Sequence, residues 1–229
     1  METQDASAEF MFKFWPWFEA NRNRLIIAAV VLVLAFFVWF FLATQHQQKE
    51  VAAGQAYTQF LLNPPPATAT QAVADGYLKI AGDHPGTLAG QRARLQAAAT
   101  LFEAGRYAEA QTQFQNFLAT KGDSSLAALA QSGVAASLEA QGKLDDALAA
   151  YRKLVTAYPD STDVILAKFA QGRVLELQGK LKDAVAAYQD VTKSPLAGSL
   201  GSEAAQRISQ LQTKLAAATS ATTNAPAKS

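Results

Sequence analysis

The decapeptide GKLDDALAAY at 142–151 returns almost unchanged as GKLKDAVAAY at 179–188, an interval of 37 residues. The interval is not confined to this echo. It separates Gly105, Gly142 and Gly179; Ala110, Ala147 and Ala184; and Phe114, Tyr151 and Tyr188. It also separates Ala93, Ala130 and Ala167, and again Leu101, Leu138 and Leu175. Five columns that keep one period through three copies define a stacked repeat, in which no unit buries its apolar face without a neighbour.

Each column has a structural task. The glycine follows a helical run and can adopt the left-handed conformation that ends it. Acids such as those in GKLDDA then open a second helix near its positive end. The alanine five residues after the glycine lets two helices approach closely, and the aromatic one turn later fills the groove between them. Tyr158-Pro159-Asp160-Ser161 stops the second helix, and Ser161 can cap the next. The spacing therefore predicts helix–turn–helix units of about 37 residues, and the abundance of alanine, leucine and glutamine supports an all-α protein. Tyr77 and Pro85 carry the period backward into a degenerate first unit from about Lys49 to Asp83, whose loop is forced open by Asn63-Pro64-Pro65-Pro66. Forward of the fourth unit, SEAAQRISQLQTKLAA places Ala204, Ile208, Leu211 and Leu215 on one face, as expected of a capping helix. The last residues, 218–229, are low in apolar content and are expected to be disordered.

A second feature stands apart from the repeats. From Leu25 to Ala43 the chain reads LIIAAVVLVLAFFVWFFLA without a charge. At ~1.5 Å per residue such a helix matches the thickness of a bilayer core. Lys13, Arg22 and Arg24 precede it, and Lys49 alone follows within a comparable distance. The positive-inside tendency puts residues 1–24 in the cytoplasm and the repeat domain, 44–217, on the far side. Trp15, Trp17 and Phe18 on one flank, with Trp39, Phe40 and Phe41 on the other, sit where interfacial aromatic belts belong. FMFKFWPWF is expected to lie along the inner membrane surface, broken at Pro16. A cleaved signal peptide would need a shorter apolar run and a small residue where Phe41 stands, so 25–43 reads as an uncleaved anchor.

Little in the chain suggests chemistry. A formal net charge of +1 excludes the basic surplus of a nucleic-acid binder. There is no cysteine, hence no thiolate nucleophile or sulfur-based metal site. His46 reads as an interfacial polar residue and His84 as a packing or capping residue, with no carboxylate pattern to join them around a metal. Glu139 and Glu176 occupy equivalent points of neighbouring units; a carboxylate pair can do acid–base work, but Phe102 holds the same place one unit earlier, and solvated charge is the reading preferred. No phosphate loop or nucleophile elbow occurs. The chain is expected to need no cofactor or metal and not to be an enzyme.

The pattern Gly-x-x-x-x-Ala-x-x-x-Tyr followed by Tyr-Pro-Asp-Ser resembles the tetratricopeptide repeat, lengthened by three residues. It departs from that pattern early in the first helix, where Arg94, Gln131 and Lys168 replace the usual Trp, and Gly172 alone keeps the expected glycine. The resemblance implies a solenoid whose first helices line a groove for a polypeptide. The groove positions it implies are Arg92, Leu95, Ala99 and Phe102 in the second unit; Leu129, Ser132, Ala136 and Glu139 in the third; and Leu166, Phe169, Arg173 and Glu176 in the fourth. For Leu95, Leu129 and Leu166 two readings stay open, groove anchors or packing between units. The clamp by which some relatives hold a terminal carboxylate is missing, since only Arg92 and Arg173 are basic.

The juxtamembrane run WFEANRNRLIIAAVVL, with one anchor and an exported repeat domain behind it, is similar to the YfgM-like family of ancillary subunits of the bacterial SecYEG translocon. The repeats themselves also resemble those of the cell-division coordinator CpoB and the outer-membrane assembly lipoprotein BamD. The first resemblance implies a non-catalytic inner-membrane protein that works with the translocon, periplasmic chaperones or exported polypeptides. The second implies a structural adaptor in cell division or outer-membrane assembly.

Overall fold

The structure, a computed structural model, describes the backbone of residues 3–66, 68–120 and 124–223, and side-chain surroundings for 17–66, 68–120 and 126–218. All regular secondary structure among the described residues is α-helical. In chain order the helices are α1 (Thr3–Leu62), α2 (Thr70–Asp83), α3 (Leu88–Glu103), α4 (Tyr107–Ala119), α5 (Ser124–Ala140), α6 (Leu144–Ala157), α7 (Asp163–Leu177), α8 (Leu181–Thr192) and α9 (Gly198–Thr223). The chain divides into two compact units, one ending at Val51 and the other beginning at Ala52. That division falls inside α1 rather than at Thr44.

The first unit is helical from Thr3 onward. The expected break at Pro16 is not there: one missing donor, with no second breaker beside it, leaves the helix uninterrupted. The apolar run has a mean hydropathy of 3.2 over its strongest stretch, and none of that stretch is covered by the protein. It is long and apolar enough to cross a membrane. At its far end the Thr44 hydroxyl folds back to donate to the carbonyls of Phe40 and Phe41, at 3.0 and 2.9 Å.

In the second unit the end of α1 pairs with α2, then α3 with α4, α5 with α6 and α7 with α8, and α9 closes the stack. The repeated glycines perform the turn that their spacing predicts. Gly105, Gly142 and Gly179 have φ of 75°, 73° and 71°, and the next residue's N–H reaches back to the carbonyls of Leu101, Leu138 and Leu175 at 2.9, 3.0 and 2.9 Å. This satisfies carbonyls that the helix end would otherwise orphan and fixes the angle at which the second helix leaves. The remaining columns form the core. Ala110, Ala147 and Ala184 are completely buried, as are Ala93 and Ala130, and Phe114, Tyr151 and Tyr188 fill the space beside them. A sixth column that the sequence reading did not single out, Phe117, Leu154 and Val191, is buried as deeply. Burying each such side chain contributes ~1.5–3 kcal/mol.

Where an aromatic ring crosses a neighbouring helix, glycine makes room. A Cβ on Gly172 would lie 2.7 Å from the Tyr188 ring, and one on Gly133 would lie 2.5 Å from Phe114. Helix starts are secured locally: the Thr87 hydroxyl accepts from Gly90 N–H, and Ser161 Oγ accepts from Asp163 N–H, both at 3.1 Å. The capping helix keeps the period. Ala204 continues the Ala93, Ala130 and Ala167 column, and Leu211 lies one period beyond Val174; both Ala204 and Leu211 are fully buried. The backbone of α9 continues to Thr223, so residues 218–223 are helical where disorder was expected, because an alanine-rich run propagates a helix already begun. Residues 224–229 of the expected tail lie outside the described residues.

Candidate functional site

The repeat stack has two unlike sides. Each first helix touches the next first helix: α3 meets α5, α5 meets α7 and α7 meets α9. Among α4, α6 and α8 no such pair occurs. Helices that touch their counterparts lie on the shorter, inner side of a curved stack, and those that do not lie outside. On each first helix the residues opposite the core form one stripe at helical spacing. The stripe is Arg92, Gln96, Ala99 and Glu103 on α3; Leu129, Ala136 and Ala140 on α5; and Leu166, Arg173 and Leu177 on α7.

This geometry sorts the expected groove residues. Arg92, Leu129 and Leu166 are exposed, the two leucines by 48% and 53%. Ser132, Ala99, Ala136 and Phe102 are half-buried on or beside the stripe. Leu95 and Phe169 are different: each is only 7% exposed and belongs to the core. The Phe169 ring packs on Tyr188 of α8, the second helix of its own unit, with centroids 5.1 Å apart. Leu95 is therefore a core residue and not a groove anchor, whereas Leu129 and Leu166 present their side chains outward.

Glu139 and Glu176 are not solvated charges. Arg173 reaches across from α7 and donates from Nε and Nη2 to the two oxygens of Glu139, at 2.7 and 2.8 Å. The Tyr151 hydroxyl donates to Glu139 Oε2 at 2.9 Å. The Glu139 side chain is 13% exposed, against 47% for Arg173. One period later the arrangement recurs with different cations. The Tyr188 hydroxyl lies 3.5 Å from Glu176 Oε2, and Arg207 and Lys214 of α9 approach the same carboxylate at 3.9 and 3.8 Å. The planar fork of Arg173 makes the first pair the stronger of the two.

Titration behaviour follows from this burial. Desolvation, and then the adjacent Glu176 charge, push the Tyr188 phenol up to about 12. Burial first and Glu139 second raise Tyr151 further. Hydrogen bonding to Glu139 raises the Arg173 guanidinium above its ordinary value, so it stays charged throughout the accessible pH range.

The signal for these pairs was present in the sequence. Units with glutamate at the 139 position carry tyrosine twelve residues on, whereas the unit with Phe102 carries Phe114. The cations escape the same logic. Arg173 comes from the next unit, and Arg207 and Lys214 come from the cap. Their equivalents elsewhere are not basic.

No other constellation competes with this face. Among the described residues no three His, Cys, Asp or Glu side chains gather as metal ligands would. His46 sits 4.0 Å from Glu50 on α1, and His84 forms the C-terminal cap of α2. Two open hollows of about 500 and 600 Å³ lie at Tyr158–Thr162 and between Phe60 and Ile80; in the first, the Ser161 hydroxyl donates to Asp163 Oδ2 at 3.2 Å and accepts from Asp163 N–H, as a helix-start contact does.

A family profile described as the tetratricopeptide repeat-like domain matches residues 16–220. The chain belongs to that family. Solved structures of similar fold include the MamA RS-1 ArsTM double mutant, at 16% identity and a TM-score of 0.50, covering 73% of this chain and 96% of the other. MamA 41-end from Desulfovibrio magneticus RS-1 gives 16% identity and a TM-score of 0.50 over 72% and 94%. At such identity the likeness is one of fold. No curated protein matches the sequence. Tetratricopeptide-like repeat proteins are typically non-enzymatic scaffolds for protein interaction.

Proposed function

We propose that this chain is a membrane-anchored scaffold whose repeat domain binds polypeptides along the inner face of α3, α5 and α7. The observation that carries the anchoring is the uncovered apolar stretch of α1: its mean hydropathy is 3.2 and nothing in the protein shields it. Covering some twenty such residues with water instead of lipid would cost ~0.8 kcal/mol per exposed methylene, which a soluble chain would not sustain. The flanking charges, Lys13, Arg22 and Arg24 against Lys49, orient the repeats to the non-cytoplasmic side, the periplasm in a bacterial inner membrane.

Within that setting the juxtamembrane run and the single anchor support work beside the SecYEG translocon, handling exported proteins together with periplasmic chaperones. Affinity purification of the full chain in mild detergent tests the assignment. Translocon subunits should be recovered with it. Recovery of cell-division or outer-membrane assembly proteins without any translocon subunit would replace the assignment with a structural adaptor. Protease added to spheroplasts should digest the repeats and spare the N-terminal tail; the reverse pattern would overturn the topology.

A further inference from the structure

The inner face is chemically uneven along the stack. On α3 its stripe holds Arg92, Gln96 and Glu103, all exposed. On α9, which follows α7 on the inner side, the equivalent positions hold Glu203, Arg207 and Lys214. Between these two rows, α5 and α7 present Leu129, Ala136, Ala140, Leu166 and Leu177, with Leu177 60% exposed, and one charged side chain, Arg173, between Leu166 and Leu177. Glu139 is the one charged residue in the whole of α5.

The charges within and beside this largely apolar centre cancel locally. Arg173 spends both arms of its fork on Glu139, and Arg207 and Lys214 are drawn to Glu176. Each framing row also carries both signs. An acidic side chain or a terminal carboxylate placed here would have to displace Glu139 from Arg173 and strand the Tyr151 hydroxyl, which is itself buried. An uncharged apolar side chain displaces nothing.

We propose that this centre binds an internal, uncharged apolar segment of an unfolded polypeptide and does not read chain ends or acidic motifs. The inference rests on the reading of the inner face as the partner surface and specifies what that surface selects. Neighbouring first helices lie ~8–10 Å apart, so Leu129 and Leu166 meet partner side chains about three residues apart in an extended chain. The patch spans two helices and accommodates about six extended residues at ~3.3 Å each.

The test uses the full chain in nanodiscs, with empty nanodiscs as the blank, and fluorescence anisotropy of labelled octapeptides. One probe is rich in Leu and Ser and blocked at both ends. A second has the same sequence with a free C-terminal carboxylate, and a third has its leucines replaced by Asp. The first two should bind with Kd within twofold of each other and unchanged within twofold between 50 and 500 mM salt, and the third should not bind. L129S/L166S should weaken binding at least tenfold, while L196S, in the turn before α9, leaves it unchanged; circular dichroism checks that both variants stay folded. Preference for the carboxylate or Asp probe, with loss at high salt, would overturn the inference and leave the inner face as the partner surface. If no probe of any kind binds, the inference fails; if the inner face also crosslinks to no polypeptide, the reading beneath it fails as well.

Discussion

Removing either member of the Glu139–Arg173 pair should reveal how far the stack depends on polar links between units. Glu139 accepts three hydrogen bonds, two of them from a cation, and is almost covered. Glu139→Ala returns the half-exposed Arg173 to water at little cost but leaves the buried Tyr151 hydroxyl without its acceptor, a loss of about 2–3 kcal/mol. Arg173→Ala leaves Glu139 with Tyr151 alone. Because Arg173 is half exposed, its pair lies between the ~0–1 kcal/mol of surface bridges and the ~3–5 kcal/mol of breaking buried ones, at about 1–2 kcal/mol. In a double-mutant cycle the coupling should be about 1 kcal/mol. Urea unfolding of the full chain in detergent, followed at 222 nm, reads this directly. With a slope of ~2 kcal/mol per molar, Glu139→Ala should lower the midpoint by about 1 M. The coupling should survive 1 M salt, where screening acts within ~3 Å in solvent but poorly at a covered carboxylate. A coupling below about 0.3 kcal/mol, or one abolished by salt, would return Glu139 to the class of solvated surface charges.

Three further outcomes follow from the same geometry. The folded state raises the Tyr151 and Tyr188 phenols, so their stabilising contribution is complete below the unfolded value near 10 and disappears as pH climbs through the folded value, about 12 for Tyr188. All six tyrosines lie in the repeats, and the rise of their absorbance at 295 nm should include a phase above pH 10, from the buried Tyr151 and Tyr188, that coincides with loss of helix; completion of the rise near pH 10 with helix intact would contradict this. Gly142→Ala should destabilise by about 1 kcal/mol through its positive φ alone, since no atom lies near its missing Cβ, whereas Gly82→Ala, inside α2 and equally unobstructed, should stabilise by up to about 1 kcal/mol in thermal melts. Phe117→Ala should cost about 3–5 kcal/mol, because the side chain is 1% exposed in a core cluster that runs from Ala74 of α2 to Leu211 of α9; a loss below 1 kcal/mol would mean that the units do not share one core.

The repeat skeleton was legible because it is built from residues with single tasks. Gly105, Gly142 and Gly179 must take positive φ, Ala110, Ala147 and Ala184 must be small, and the spacing between these columns sets the length of each helix pair. The cap was legible from the face formed by Ala204 and Leu211. The inner face was only partly so. Leu95 and Leu166 are both leucines at first-helix positions, yet one is core and the other exposed: by the repeat period Leu95 aligns with the buried Phe169 and Leu166 with the exposed Leu129, and leucine by itself marks neither place. The pairing of Glu139 was hidden for another reason: its partner Arg173 lies 34 residues away and is not repeated. The helical backbone through Pro16 could not be foreseen from the propensity of one proline.

The claim on which the rest depends is that a polypeptide partner meets the inner face and not the outer one. A photoreactive amino acid placed in vivo at Leu129 or Leu166 on the inner face, and at Lys182 or Gln189 on α8 outside, separates the two directly. Adducts with other polypeptides should form from the leucine positions and fade from the α8 positions. Adducts confined to α8, with Leu129 and Leu166 silent in a folded protein, would contradict it.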